Sequence, residues 1–297
     1  MLRLPAPVVR ASMPLIRELS LSPRLPRPVR RTALDVLAGS MPRPRGTSGT
    51  WGRLGGVRAL RVDPPGPRRS QSDGAVLYLH GGGFVVGSPT SHRPMLVRLA
   101  LGTGLPVLGL DYRLAPEHPF PAGYDDVLDA YRALRAGGTP AERIVLAGDS
   151  AGGGLALAAA MELRDGGEHP RCVALICPFV DLGPDASWRA GESADPLLTL
   201  RHTLVFGQQY AGGASVDPRV SPLRGDLAGL PPLIVHTAGD DLLHADGTEL
   251  VARARAAGVA VEHYDAPGLW HDFHAVAGLL AAGDRAIDAL VKSILQT

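Results

Sequence analysis

From residue 57 onward the chain alternates between two textures: short apolar runs bounded by turn residues, and longer stretches whose apolar positions recur at helical spacing. The runs at 57–62, 75–79, 105–110, 143–147, 172–177, 232–237 and 259–264 predict strands. The stretches at 95–101, 124–135, 155–163, 247–257 and 285–295 predict helices. Strands that are nearly continuous in apolar residues and alternate with helices imply an α/β fold, a mostly parallel sheet covered on both faces. The interval 181–230 interrupts the alternation with Pro, Gly, Trp188 and one helical patch at 200–209, and an insertion of that length predicts a lid or binding element.

The first fifty residues differ again. They carry Pro5, Pro7, Pro14, Pro23, Pro26, Pro28, Pro42 and Pro44 among many arginines, with only Glu18 and Asp35 as acids. Long helices are not expected there. Short amphipathic helices over 14–21 and 29–37 are, with Met13, Leu15, Ile16 and Leu19 on an apolar side. The prolines and Arg10 interrupt any leader-like apolar region, and a peripheral cap segment outweighs a transit peptide or a contact with an anionic membrane. The expected organisation is therefore an N-terminal cap segment over 1–50 and one core over 51–297, with a cap insertion near 181–230.

Composition changes this picture little. A chain of 297 residues with 45% hydrophobic and 20% charged positions is an ordinary globular composition, and 30 basic against 29 acidic side chains leave no large field to attract nucleic acid. No stretch reaches the roughly 18 apolar residues of a membrane span. The two cysteines, Cys172 and Cys177, are five apart in one predicted strand, so they should face opposite sides as buried small hydrophobes that do not bridge. A cytoplasmic location is expected.

Candidate chemistry centres on Gly148-Asp149-Ser150-Ala151-Gly152, between a predicted strand and an alanine-rich helix. Glycines on both sides of a serine at such a break fit a sharp turn that exposes the hydroxyl as a nucleophile. A plain N-cap serine would look similar. An activated serine needs a general base, a group that orients it, and donors where negative charge develops. After the strand at 232–237, Asp240 and Asp241 stand at a strand's C-terminal end, and His271 follows in the loop Pro267-Gly268-Leu269-Trp270-His271. Upstream, His80-Gly81-Gly82-Gly83-Phe84 closes another strand with glycines whose amides suit an oxyanion hole. Neither a Walker loop nor the Rossmann spacing is present. His271, Asp272 and His274 match no zinc spacing, so no metal is expected.

These motifs, together with Asp111-Tyr112-Arg113-Leu114-Ala115-Pro116-Glu117-His118-Pro119-Phe120-Pro121-Ala122, resemble those of the hormone-sensitive-lipase-like family of α/β-hydrolase carboxylesterases. The resemblance spans 57–295 and implies an α/β-hydrolase fold with a helical cap. It implies Ser150 as nucleophile, His271 as general base and acid, and the amides of Gly82, Gly83 and Ala151 as the oxyanion hole. The family's acid falls on Asp241 with Asp240 as runner-up, because Leu242 stands where the family usually has Pro. His80 would hold the glycine loop in shape, His118 belongs to the loop over 113–122, His263 and His274 would be structural or exposed, and His236 would lie within a strand. The resemblance further implies hydrolysis of short- to medium-chain acyl esters, no cofactor and a small-molecule ester as partner. It implies no nucleic acid and no stable membrane insertion, and it leaves room for a homodimer. Lactonase, amidase or acyltransferase chemistry at the same site, or a non-catalytic ligand-binding relative, are the alternatives. Trp188, Leu197, Leu198 and Phe206 are candidates to line the substrate pocket or to pack in the core. Activity should fall on the acid side near the ordinary imidazole value of about 6.5 before environmental shifts.

Overall fold

The computed structural model describes residues 3–39, 41–66, 73–189 and 194–297. Eight strands, β1 (Ser48–Leu54), β2 (Val57–Asp63), β3 (Ala75–Leu79), β4 (Val107–Leu110), β5 (Ile144–Asp149), β6 (Cys172–Ile176), β7 (Leu233–Ala238) and β8 (Val261–Ala266), form one sheet in the order β1-β2-β4-β3-β5-β6-β7-β8. From β4 to β8 every pairing is parallel, while β1 and β2 run antiparallel at one edge. The α/β expectation holds.

Side-chain alternation builds two cores. In β3, Val76 and Tyr78 join the layer that holds Leu96 and Leu99 of α3 (Arg93–Thr103) and Leu290 of α8 (Ala281–Gln296). Leu77 and Leu79 join the opposite layer, with Val127 of α4 (Ala122–Ala136), Leu155 of α5 (Ala151–Asp165) and Leu250 of α7 (His244–Ala256). Burial on both faces is why these strands read as unbroken apolar runs. The chain leaves β3 toward β4 on one side and later enters β5 on the other side of β3, so the C-terminal ends of β3 and β5 flank a crevice. Candidate residues of both the glycine loop and the serine turn sit at that crevice.

Three local expectations are corrected. Strand β1 was not foreseen: its sequence SGTWGRL is polar and almost wholly exposed, so no apolar signal marks it, and pairing with β2 across the Gly55–Gly56 turn holds it in place. The N-terminus does form longer helices, α1 (Ala6–Ser20) and α2 (Arg27–Gly39). Pro7 sits in the first turn of α1, where no amide donor is needed, and the helix runs on through Pro14 while burying Val9 and Met13 on the core. Cys172 and Cys177 are buried and unbridged, as expected, but they share one layer. The reason is that Cys177 lies just past the end of β6 with φ of 44°, which breaks the strand alternation.

Candidate active site

Ser150 stands between β5 and α5 with φ 50° and ψ −119°, a conformation that non-glycine residues avoid. Its amide donates to Ile176 O at 2.8 Å, and its carbonyl accepts from the amides of Gly154 and Phe179, which hold the strained turn from both sides. The turn also depends on close backbone approach. A Cβ at Gly152 would overlap the carbonyl oxygen of Leu79, so α5 could not start this near β3 with any other residue there. Ala151 opens α5, whose first-turn amides have no acceptor within the helix.

Opposite, the chain turns sharply after β3. Gly82 has φ of 113° and its missing Cβ makes room for the carbonyl of Val86, while the place a Cβ would take at Gly83 is filled by the ring of Phe206 from α6 (Leu200–Ala211). Gly82, Gly83 and Ser150 line one cleft. Two buried networks brace this loop. The ring of His80 stacks on Tyr112 at 4.3 Å, the Tyr112 hydroxyl donates to His80 O at 2.7 Å, and burial pushes the imidazole down to about 3, so it stays neutral. The side chain of Asp149 fills the space beside Gly81, accepts from the Tyr78 hydroxyl at 2.7 Å, and lies 3.1 Å from His92 Nε2. Burial would raise the Asp149 carboxyl, but His92 and these hydrogen bonds outweigh it and hold it near about 2.

Of the Asp240-Asp241 pair, Asp241 is the one whose side chain contacts His271. Asp241 Oδ2 lies 2.9 Å from His271 Nδ1, and both side chains are almost fully buried. Asp240 instead pairs with Arg10 of α1 at 2.6 Å, partly exposed. His271 lines the same cleft as Ser150, Gly82 and Gly83. Burial opposes a charge on His271, yet Asp241 and Asp272 together lift it well above the ordinary 6.5. The expected acid limb therefore moves to higher pH.

Several contributing residues were invisible in the sequence. Asp195, in the insertion, is buried and accepts from the amides of Leu197 and Leu198, from His271 N at 3.1 Å, and from Leu242 N at 3.4 Å. One carboxylate thus ties the insertion to the loops that carry Asp241 and His271. Arg10 adds a second tie, with Nη1 on Asp240 and Nη2 donating to Ala194 O at 2.5 Å. An Asp two residues before Leu197 carries only an ordinary turn signal, and nothing local marks its long-range partners.

Other expectations separate cleanly. Leu197, Leu198 and Phe206 line the cleft with Met13, Ile16 and Leu34 of the two N-terminal helices. Trp188 does not: it is 1% exposed, packs edge-on against Phe179, and donates from Nε1 to Asp181 O. His236, within β7, faces His274 at 3.1 Å, and both are held neutral by burial. His263 is half-buried against Thr237, and the amide of His118 is bonded within its own loop. Among the described residues, the sets of donor atoms close enough to surround a cation are Cys177, His271 and Asp272, and Asp195, Asp241 and His271. Both draw on His271, whose Nδ1 is already engaged by Asp241.

Comparison with known proteins agrees with this architecture. The family model of the alpha/beta hydrolase fold matches residues 76–275. An acetyl-hydrolase of Streptomyces hygroscopicus is 40% identical over 227 residues, covering 74% of this chain and 75% of that protein. An ethyl acetate hydrolase of Pseudomonas putida is 36% identical over 249 residues, covering 81% and 78%. The crystal structure of an esterase from the bacterial hormone-sensitive lipase family superposes with a TM-score of 0.91 at 37% identity, covering 99% of both chains. The chain accordingly belongs to the hormone-sensitive-lipase-like family of α/β-hydrolase esterases and is a carboxylic ester hydrolase.

Proposed function

We propose that this enzyme hydrolyses short- to medium-chain acyl esters through an acyl-enzyme on Ser150, with His271 as general base and acid, Asp241 as its orienting carboxylate, and the amides of Gly82, Gly83 and Ala151 as the oxyanion hole. The observation that carries the reading is the buried 2.9 Å contact between Asp241 Oδ2 and His271 Nδ1, in one cleft with a serine held at positive φ on a strand-to-helix turn. Asp241 fixes the ring so that Nε2 is the working nitrogen. Neutral Nε2 takes the proton of Ser150 as Oγ attacks the ester carbonyl, and the amides receive the developing negative charge. The imidazolium then protonates the departing alcohol, and water deacylates the serine by the same route.

The apolar walls support an acyl or alcohol group without charge, since Met13, Ile16, Leu34, Leu197, Leu198 and Phe206 face the cleft. The names of the two relatives, an acetyl-hydrolase and an ethyl acetate hydrolase, support the short end of the acyl range. Helices α1 and α2 with the insertion over 181–230 act, in this reading, as a cap that sets how long a chain the cleft admits.

The test is hydrolysis of p-nitrophenyl acetate, butyrate, octanoate and palmitate by the wild type and Ser150→Ala, with folding checked by circular dichroism. Loss of turnover on the short chains by about 10⁴-fold or more in the folded variant supports the reading. Turnover within tenfold of wild type would remove Ser150 from it.

A further inference from the structure

His271 has a second acidic neighbour. The side chain of the next residue, Asp272, brings Oδ2 to 3.1 Å from Nε2, the nitrogen opposite the one that Asp241 engages. Asp272 holds φ of 51° and ψ of 33°, which points a left-handed backbone and its carboxyl back along the ring. Among the described residues its Oδ1 is buried with no hydrogen-bond partner, and the residue lines the same cleft as Ser150. The charged atom in contact with Nε2 is therefore a carboxylate oxygen of Asp272.

Resting on the proposed roles of Ser150 and His271, we infer that Asp272 is a positioning residue that competes with Ser150 for Nε2 of His271 and thereby sets the pH at which the enzyme switches on. At 3.1 Å the two groups form an ion pair when His271 carries its second proton, and a protonated Nε2 beside the Asp272 carboxylate cannot accept the proton of Ser150. Loss of that proton leaves a neutral ring whose Nε2 lone pair repels the Asp272 carboxylate and turns to Oγ.

The surroundings favour the protonated pair. Burial raises the Asp272 carboxyl to about 7, against the pull of His271. Asp241 and Asp195 add negative charge from the β7 loop and the insertion. Asp149 adds more from the end of β5, partly balanced by its partner His92, and Tyr78 is held neutral by burial there. Cys177, at the end of β6, remains a neutral thiol because burial raises it further, and buried His274 is likewise uncharged. Each of the two acids beside the ring stabilises its cation, so removing one must lower the pH at which His271 becomes a base.

The test is the pH dependence of kcat/KM for p-nitrophenyl butyrate in the wild type, Asp272→Asn and Asp272→Gly, two replacements that tolerate the left-handed backbone. The wild-type acid limb is expected above about 6.5, and in the variants it should move down by about one pH unit or more. A merely structural role would lower the rate at every pH and leave the limb in place, and that result overturns the proposal. If neither variant folds, a wild-type limb at or below about 6.5 overturns it by itself. His271→Ala separates the two claims. Activity lost in that variant while the Asp272 limb stays fixed defeats only the present inference, whereas activity retained defeats the roles of Ser150 and His271 with it.

Discussion

At the scale of single residues, the site turns on which of two adjacent aspartates reaches His271. Asp241 does so at 2.9 Å in a dry setting, and Asp240 is spent on Arg10 at the edge. A carboxylate that fixes the tautomer of a catalytic imidazole is worth about 10⁴-fold in turnover when replaced by the amide. Asp241→Asn should therefore lose kcat by about that factor, with the protein still folded. Asp240→Asn should change kcat by less than about fivefold, since partly exposed ion pairs contribute little. Steady-state kinetics on one short ester distinguishes the pair, and equal losses in both variants would contradict the assignment. The residues alone place both carboxylates at the strand end, the family resemblance favours Asp241 over Asp240, and one residue's step along the loop is what brings Asp241 to His271.

At the scale of elements, the core helices were legible because their apolar positions recur at helical spacing, and the core strands because burial on both faces makes them unbroken apolar runs. What escaped was held by contacts that leave no local trace. Strand β1 has no apolar residue pattern of its own, and the short helices expected over 14–21 and 29–37 lengthen into α1 and α2 because Val9 and Met13 of α1 and Leu34 of α2 pack on the core, despite an arginine- and proline-rich composition. The same holds for the link between the insertion and the site. Asp195 gathers amides from Leu197, Leu198, Leu242 and His271, so the insertion and the loops that carry Asp241 and His271 are joined by one buried carboxylate. Asp195→Asn keeps the shape but replaces one acceptor oxygen with a donor that faces amide donors. Hydrogen bonds to a charged group contribute about 1.5–3 kcal/mol, so kcat/KM should fall by about tenfold or more, mainly through kcat. An unchanged kcat in a folded variant would show that the loops hold their places without this tie.

At the scale of the whole molecule, the fold places every proposed participant at one end of a parallel sheet. The glycine loop leaves β3, the serine turn leaves β5, Asp241 follows β7 and His271 follows β8, with the insertion and the N-terminal helices lining the remaining wall. Strand order explains why these loops meet: reversal of direction at β3 opens the crevice that the motifs surround. The near-balance of 30 basic and 29 acidic groups leaves no large overall field. Among the described residues no helix is long and apolar enough to cross a membrane. In the proposed mechanism one serine at this crevice carries the acyl group. Incubation with a p-nitrophenyl alkylphosphonate, followed by peptide mass spectrometry and residual activity, tests it most directly. A single phosphonyl group on Ser150, rising in step with loss of esterase activity and absent from His271→Ala, is the predicted result. Full inactivation with the label on another residue, or full labelling of Ser150 with activity intact, would contradict the account.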